Sequence, residues 1–266
     1  MQQVTARSAP NVRLKSIALP AEHGSWDFLI EPMILGLLVA PSWTGLALCI
    51  GVFGVFLVHQ PLKIALKDRL RGKRYPRTAY AERFAALYGV IALLGLGLAA
   101  LLTEHAFWLP LLLALPLASV QLVYELRSEG RALLPELLGA SALGASASAV
   151  ALAAGFDLLP ALLLWALIAL RVVPSILYVR ARLREARGQV GNLSGAIVAH
   201  VGALGLVVTM LFAGQVNIVA VVASGMLLAR LFLWGWRVQP AKVVGVQEVV
   251  IGLVYAVLAA FGVVLS

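Results

Sequence analysis

Seven basic residues and two acids fall between Lys67 and Arg83, in the run Lys67-Asp-Arg69-Leu-Arg71-Gly-Lys73-Arg74-Tyr-Pro-Arg77-Thr that continues to Glu82 and Arg83. Planar guanidinium forks and mobile ammonium groups suit phosphate oxygens, so this run could dock a headgroup, a diphosphate or a nucleotide. The same residues also read as a topogenic loop held against anionic lipid. Arg69, Arg71, Arg74 and Arg77 are the candidate anion ligands here. A second basic run, Arg171-Val-Val-Pro-Ser175-Ile-Leu-Tyr178-Val-Arg180-Ala-Arg182-Leu-Arg184, adds Arg171, Arg180 and Arg184. On a helix Arg171, Ser175, Tyr178 and Arg182 share one face.

Acids and histidines recur at helical spacing. His23, Asp27 and Glu31 are one turn apart, and His59, Lys63 and Lys67 repeat that spacing. Helices carrying the two sets side by side would oppose an acidic stripe to a basic one. Glu22, His23 and Glu31 are the candidates for acid/base work, histidine because it can change charge near neutral pH. His23, Asp27 and Glu31 could also converge on a metal ion, but the abundance of arginine favours salt bridging, and no metal site is expected. The remaining polar groups expected to be buried are Tyr124, Glu125, Glu136, Tyr178, Arg230 and Glu248. No P-loop, GxSxG, HExxH or CxxC pattern occurs, which leaves nucleotide hydrolysis, serine hydrolysis and zinc-protease chemistry without support.

The elements that must carry these residues are set by composition. The 266 residues are 62% hydrophobic and only 12% charged, with a mean hydropathy of +0.96. A soluble domain carries about a quarter charged residues. A soluble core of this length could not hide so much apolar surface, whereas a bilayer accepts it. The expectation is one all-α integral membrane domain over 1–266, a polytopic bundle of about nine spans. The spans fall near 24–40, 43–66, 84–102, 106–124, 136–154, 158–179, 195–213, 216–236 and 246–265. Residues 1–19 form a basic tail without the apolar stretch of a cleavable signal peptide. Cys49 sits alone in an apolar run and reads as packing.

All 21 Lys and Arg lie in the tail, within spans, or in alternate connections, while the opposite connections hold Glu104 and Asp157 but no base. That asymmetry predicts a multi-pass protein of the cell membrane with a cytoplasmic N-terminus and Ser266 on the other side. The net charge of +9 is thus local to one membrane face, pointing to lipid rather than nucleic acid as the partner. Small residues fill the spans beginning near Glu136 and Gly195, which are expected to lie inside the bundle. Arg171, about two turns inside its span, needs a partner because an unpaired charge at that depth costs several kcal/mol. A carboxylate from Glu31, Glu125, Glu136 or Glu248 is expected beside it, at a cavity open to the cytoplasm or the lateral membrane.

Three blocks resemble the YwiC-like family of integral membrane proteins. They are Leu19-Pro20-Ala-Glu22-His23-Gly24-Ser-Trp26, Asp68-Arg69-Leu-Arg71-Gly72-Lys-Arg74-Tyr-Pro76-Arg77-Thr78, and Arg171 through Leu183. That resemblance implies a membrane protein and no particular reaction. More distantly the chain is similar to UbiA-type membrane prenyltransferases, which implies a nine-helix architecture with functional loops after helices 2 and 6, near Lys67 and Arg180. Those enzymes hold Mg²⁺ on a prenyl diphosphate with several aspartates per loop. Here the first loop offers Asp68 before Glu82 and the second Glu185, so the two-motif Mg²⁺ site is not supported and no cofactor can be named. The reading that follows is a protein binding a phosphate-bearing lipid or isoprenoid in a cytoplasm-facing cavity, as a UbiA-like transferase without the aspartate-rich motifs. A transporter or flippase, and a non-catalytic lipid-binding or assembly protein, are the alternatives.

Overall fold

The computed structural model describes residues 14–20, 24–234 and 238–266, and these contain ten α-helices and no strand. A short α1 (Leu14–Ala18) precedes α2 (Gly24–Val39), α3 (Trp43–Leu70), α4 (Pro76–Leu102), α5 (Trp108–Leu126) and α6 (Leu133–Ala153). Then come α7 (Leu158–Glu185), α8 (Ser194–Phe212), α9 (Ile218–Trp234) and α10 (Ala241–Val264). Seven of them, α3 to α8 and α10, are long and apolar enough to cross a membrane, while α2 has 16 residues and α9 has 17. The chain is therefore an all-helical, multi-pass membrane-type protein. Large apolar side chains such as Leu93, Leu94, Leu101 and Phe212 are exposed, as lipid-facing surface would be.

The first basic run is not a loop. α3 continues to Leu70 and α4 begins at Pro76, eight residues before the expected span, so only 71–75 connect them. Proline at the first helical position wastes no hydrogen bond. The Tyr75 backbone N–H donates to Thr78 Oγ1 at 3.0 Å, closing the start of α4, and Gly72 takes the left-handed φ of +64° that ends α3. The basic side chains thus fan out from two helix ends. Further along, α3 and α4 pack backbone to backbone. A Cβ at Gly54 would stand 2.5 Å from the Ala92 nitrogen, so only glycine allows this approach.

The small residues of α6 are buried from Gly144 through Ala153, and α6 packs on α2, α3, α5 and α7. Helix α8 departs from the expectation of an interior position. Gly195, Gly202 and Gly205 meet nothing within 4 Å of an added Cβ, and Val198, Val201, Leu206 and Phe212 are exposed. Only the stripe Ala196, His200, Ala203 and Val207 is covered, by α7 and α9. Small residues permit close packing but do not supply a partner, and here the partners lie on one side.

Candidate functional site

Two charged regions dominate the described residues. The first is buried where α2, α7, α9 and α10 meet. Arg171 of α7 is 0% exposed, and its Nη2 lies 2.6 Å from Glu31 Oε1, 3.2 Å from Asp27 Oδ2 and 3.7 Å from Glu248 Oε2. Nη2 also donates to the Glu248 carbonyl at 3.1 Å. Arg230 of α9 pairs with Glu248 Oε1, donates to Ser175 Oγ at 2.7 Å and lies 4.6 Å from the centre of the Tyr178 ring. Arg182 pairs with Glu185 one turn on.

Local backbone explains part of this arrangement. Pro32 follows Glu31, and Pro174 lies three residues after Arg171. Each proline lacks the N–H that would meet the carbonyl four residues earlier, so Phe28 and Leu170 lose a helical donor beside the charges. On α10, Gly252 has no side chain because a Cβ there would fall on the Glu31 carboxylate and the Arg171 guanidinium. Tyr255 reaches back to donate to the Leu167 carbonyl at 3.0 Å.

The second region is an open cavity of about 580 Å³ between the ends of α3, α4 and α5 and the α5–α6 connection. Lys63, Lys67, Arg71, Arg77 and Arg131 line it against only two acids, Asp68 and Glu125. Both acids are already occupied. Asp68 accepts from Arg77 at 2.8 and 3.2 Å and from Thr78 at 2.8 Å. Glu125 has Lys63 at 3.0 Å, His59 at 3.2 Å and Gln121 at 3.3 Å. Lys67 donates to Ser128, which holds a left-handed φ of 68° at the end of α5. Arg71 is exposed at the rim, and no ion pair is formed by it among the described residues.

The expected residues therefore divide. The acidic stripe of α2 does not oppose His59 and Lys63; α2 packs chiefly on α6 and α10, so Asp27 and Glu31 reach Arg171, while Glu125 of α5 takes the basic stripe. Nor does Arg171 line the cavity. Arg69 and Arg74 turn away to Glu82, at 2.7 and 3.9 Å. Arg180 bonds Glu136 at 2.6 Å and the Arg131 carbonyl at 3.0 Å, bracing the connection that carries Arg131, while Arg184 is exposed. Tyr124 is half-buried, and its carbonyl accepts from the Glu129 N–H. Glu22 and His23 lie outside the described residues. Asp68, Arg131, His200 and Tyr255 were not foreseen as site residues. Arg131 could have been found only from the pairing of the α5–α6 connection with α3, which no local spacing encodes.

The model of the YwiC-like protein family matches residues 19–151, half of the chain. The chain belongs to the YwiC-like family. No curated protein and no solved structure matches it. The matched segment of this YwiC-like protein contains every residue lining the cavity together with Asp27 and Glu31. Arg171, Arg230 and Glu248 lie beyond it, as does the third block on which the family resemblance was read.

Proposed function

We propose that this YwiC-like protein binds a phosphate-bearing amphiphile, a phospholipid or an isoprenyl phosphate, at the basic cavity. The observation that carries this reading is the excess of five bases over two acids around one open cavity, with both acids already engaged. Uncompensated guanidinium and ammonium groups repel one another, and a phosphate oxygen relieves that repulsion. Exposed apolar flanks on α4 and α5 would take the hydrocarbon tail.

The nine helices α2 to α10 would then all cross the cell membrane, with the bases on the cytoplasmic side. Reporter fusions after Leu126 and Arg187 should stay cytoplasmic and one at Ser266 should be exported; a cytoplasmic reporter at Ser266 means one helix too few or too many crosses. This order of helices, with a basic run at the α3–α4 junction, supports a UbiA-like bundle and a transferase reading. The acids present do not fit a Mg²⁺ cluster, since Asp68 is spent on Arg77 and Thr78 and Glu82 on Arg69 and Arg74. The bases would neutralise a diphosphate directly. The buried cluster around Arg171 favours a second reading, a transporter or flippase.

Thermal stability in an uncharged detergent tests the binding. An isoprenyl diphosphate or phosphatidic acid should raise the melting temperature, less so at high salt, while a neutral diacylglycerol should not. Equal stabilisation by all three would sink the reading, because only the shared hydrocarbon would matter.

A further inference from the structure

The cluster at Arg171 is unbalanced. Among the described residues three carboxylates, Asp27, Glu31 and Glu248, meet two guanidiniums, Arg171 and Arg230. All five side chains are buried or nearly so, so one negative charge stands in excess where water cannot screen it. The neighbouring groups among the described residues do not correct the balance. Arg182 is matched by Glu185 on α7, Tyr178 and Tyr255 are neutral phenols, and His200 on α8 has the two arginines, not the acids, as its charged neighbours.

Asp27 and Glu31 stand one turn apart on α2, and one oxygen of each lies within 3.2 Å of the same Arg171 Nη2. Two carboxylates gathered on one guanidinium nitrogen repel each other, and neither has a hydrogen to offer the other. In addition, Asp27 Oδ1 and Glu31 Oε2 are buried with no hydrogen-bond partner among the described residues. The excess charge and the partnerless oxygens thus fall on the same two side chains.

We propose that Asp27 and Glu31 form a proton-binding site, holding one exchangeable proton between them at neutral pH. Taken from water, the proton converts one carboxylate to a carboxylic acid, which donates to the other. The cluster is then neutral, with two carboxylates against two guanidiniums, and loss of the proton to water restores the excess charge. A proton suits the site better than an alkali cation. It needs two oxygens only, whereas a metal ion would need several and would sit against the Arg171 guanidinium, which already touches both carboxyl groups. The backbone of Gly252 packs directly against the Glu31 carboxylate and leaves no room beside it. Glu248 is the less suitable proton acceptor, since one of its oxygens pairs with Arg230 and the other faces Arg171.

The test is infrared spectroscopy of the full chain in lipid nanodiscs, reading the carbonyl band of a protonated carboxylic acid. The band should be present at neutral pH, shift on transfer to D₂O, vanish at alkaline pH and persist when choline replaces sodium and potassium. It should be lost in the Asp27→Asn/Glu31→Gln double variant. Should that variant not fold, a hydrophobic carbodiimide, which reacts with protonated carboxyls, should label Asp27 or Glu31 of the unaltered protein at neutral pH, as mapped by mass spectrometry. Three results overturn the proposal: no acid band and no labelling at neutral pH, a band that grows only when sodium and potassium are withdrawn, or a band that survives in the double variant.

Discussion

The buried cluster and the open cavity are built from the same residue types, yet their charge balances are opposite. Around Arg171 the acids outnumber the bases and every group is enclosed; around Arg71 the bases outnumber the acids and the rim is open. The difference lies in what packs alongside. Helix α2 brings Asp27 and Glu31 against α7, and α10 closes over them with Gly252. At the cavity the nearest acids are consumed by their own neighbours, Asp68 by the start of α4 and Glu125 by α3. Burial leaves an excess charge reachable only by something as small as a proton, and exposure leaves one available to a larger ligand.

The comparison breaks most visibly at Arg171. Replacing it with methionine would leave three acids to one guanidinium, and breaking a buried pair costs about 3–5 kcal/mol. We expect Arg171→Met to lose most of its thermal stability or to fail to accumulate as folded protein, judged by size-exclusion chromatography and melting temperature. An unchanged melting temperature would mean that the cluster is wetter than its burial implies. Gly252→Ala should follow, because overpacking typically costs about 1–3 kcal/mol and the added Cβ meets the Glu31 and Arg171 head groups. Its loss should shrink in Glu31→Ala, where the crowded carboxylate is gone.

At the cavity the expected effects on stability are small. Arg180→Ala removes the brace on the Arg131 carbonyl and the pair with Glu136, both partly exposed, so it should cost under about 1 kcal/mol. Anion affinity should fall by a few-fold through displacement of Arg131, and Arg180→Lys should recover part of it. A large loss of stability with no change in affinity would instead make Arg180 purely structural.

The nine expected apolar runs all fall on helices, and most limits of α2 to α10 were readable from them, because length and composition decide both. The short α1 was not foreseen, and seven of the ten helices among the described residues have the length and hydropathy of a span. The start of α4 was not readable, since the polar run Pro76 to Arg83 reads as a loop unless the Pro76 and Thr78 capping geometry is recognised. The need of Arg171 for an acid partner followed from its depth alone, and Glu31 and Glu248 were among the four acids expected. Which helices neighbour which was not legible. That ignorance set His59 and Lys63 opposite the wrong acids, counted Arg74 and Arg180 among the anion ligands although neither lines the cavity, and left Arg131 unnoticed. Helix periodicity reports which residues share a face, not what the face meets.

Equilibrium binding of a fluorescent isoprenyl diphosphate to the protein in nanodiscs of uncharged lipid tests the central claim most directly. Arg71 is at the cavity without an acid partner, whereas Arg74 is 80% exposed and turned to Glu82. A hydrogen bond to a charged group contributes about 1.5–3 kcal/mol, so Arg71→Ala should weaken binding about tenfold or more. Arg74→Ala, with the same change of charge, should stay within about twofold, since an exposed pair contributes about 0–1 kcal/mol. Equal weakening by the two variants would contradict the account, because diffuse attraction to a basic surface would then explain all the binding.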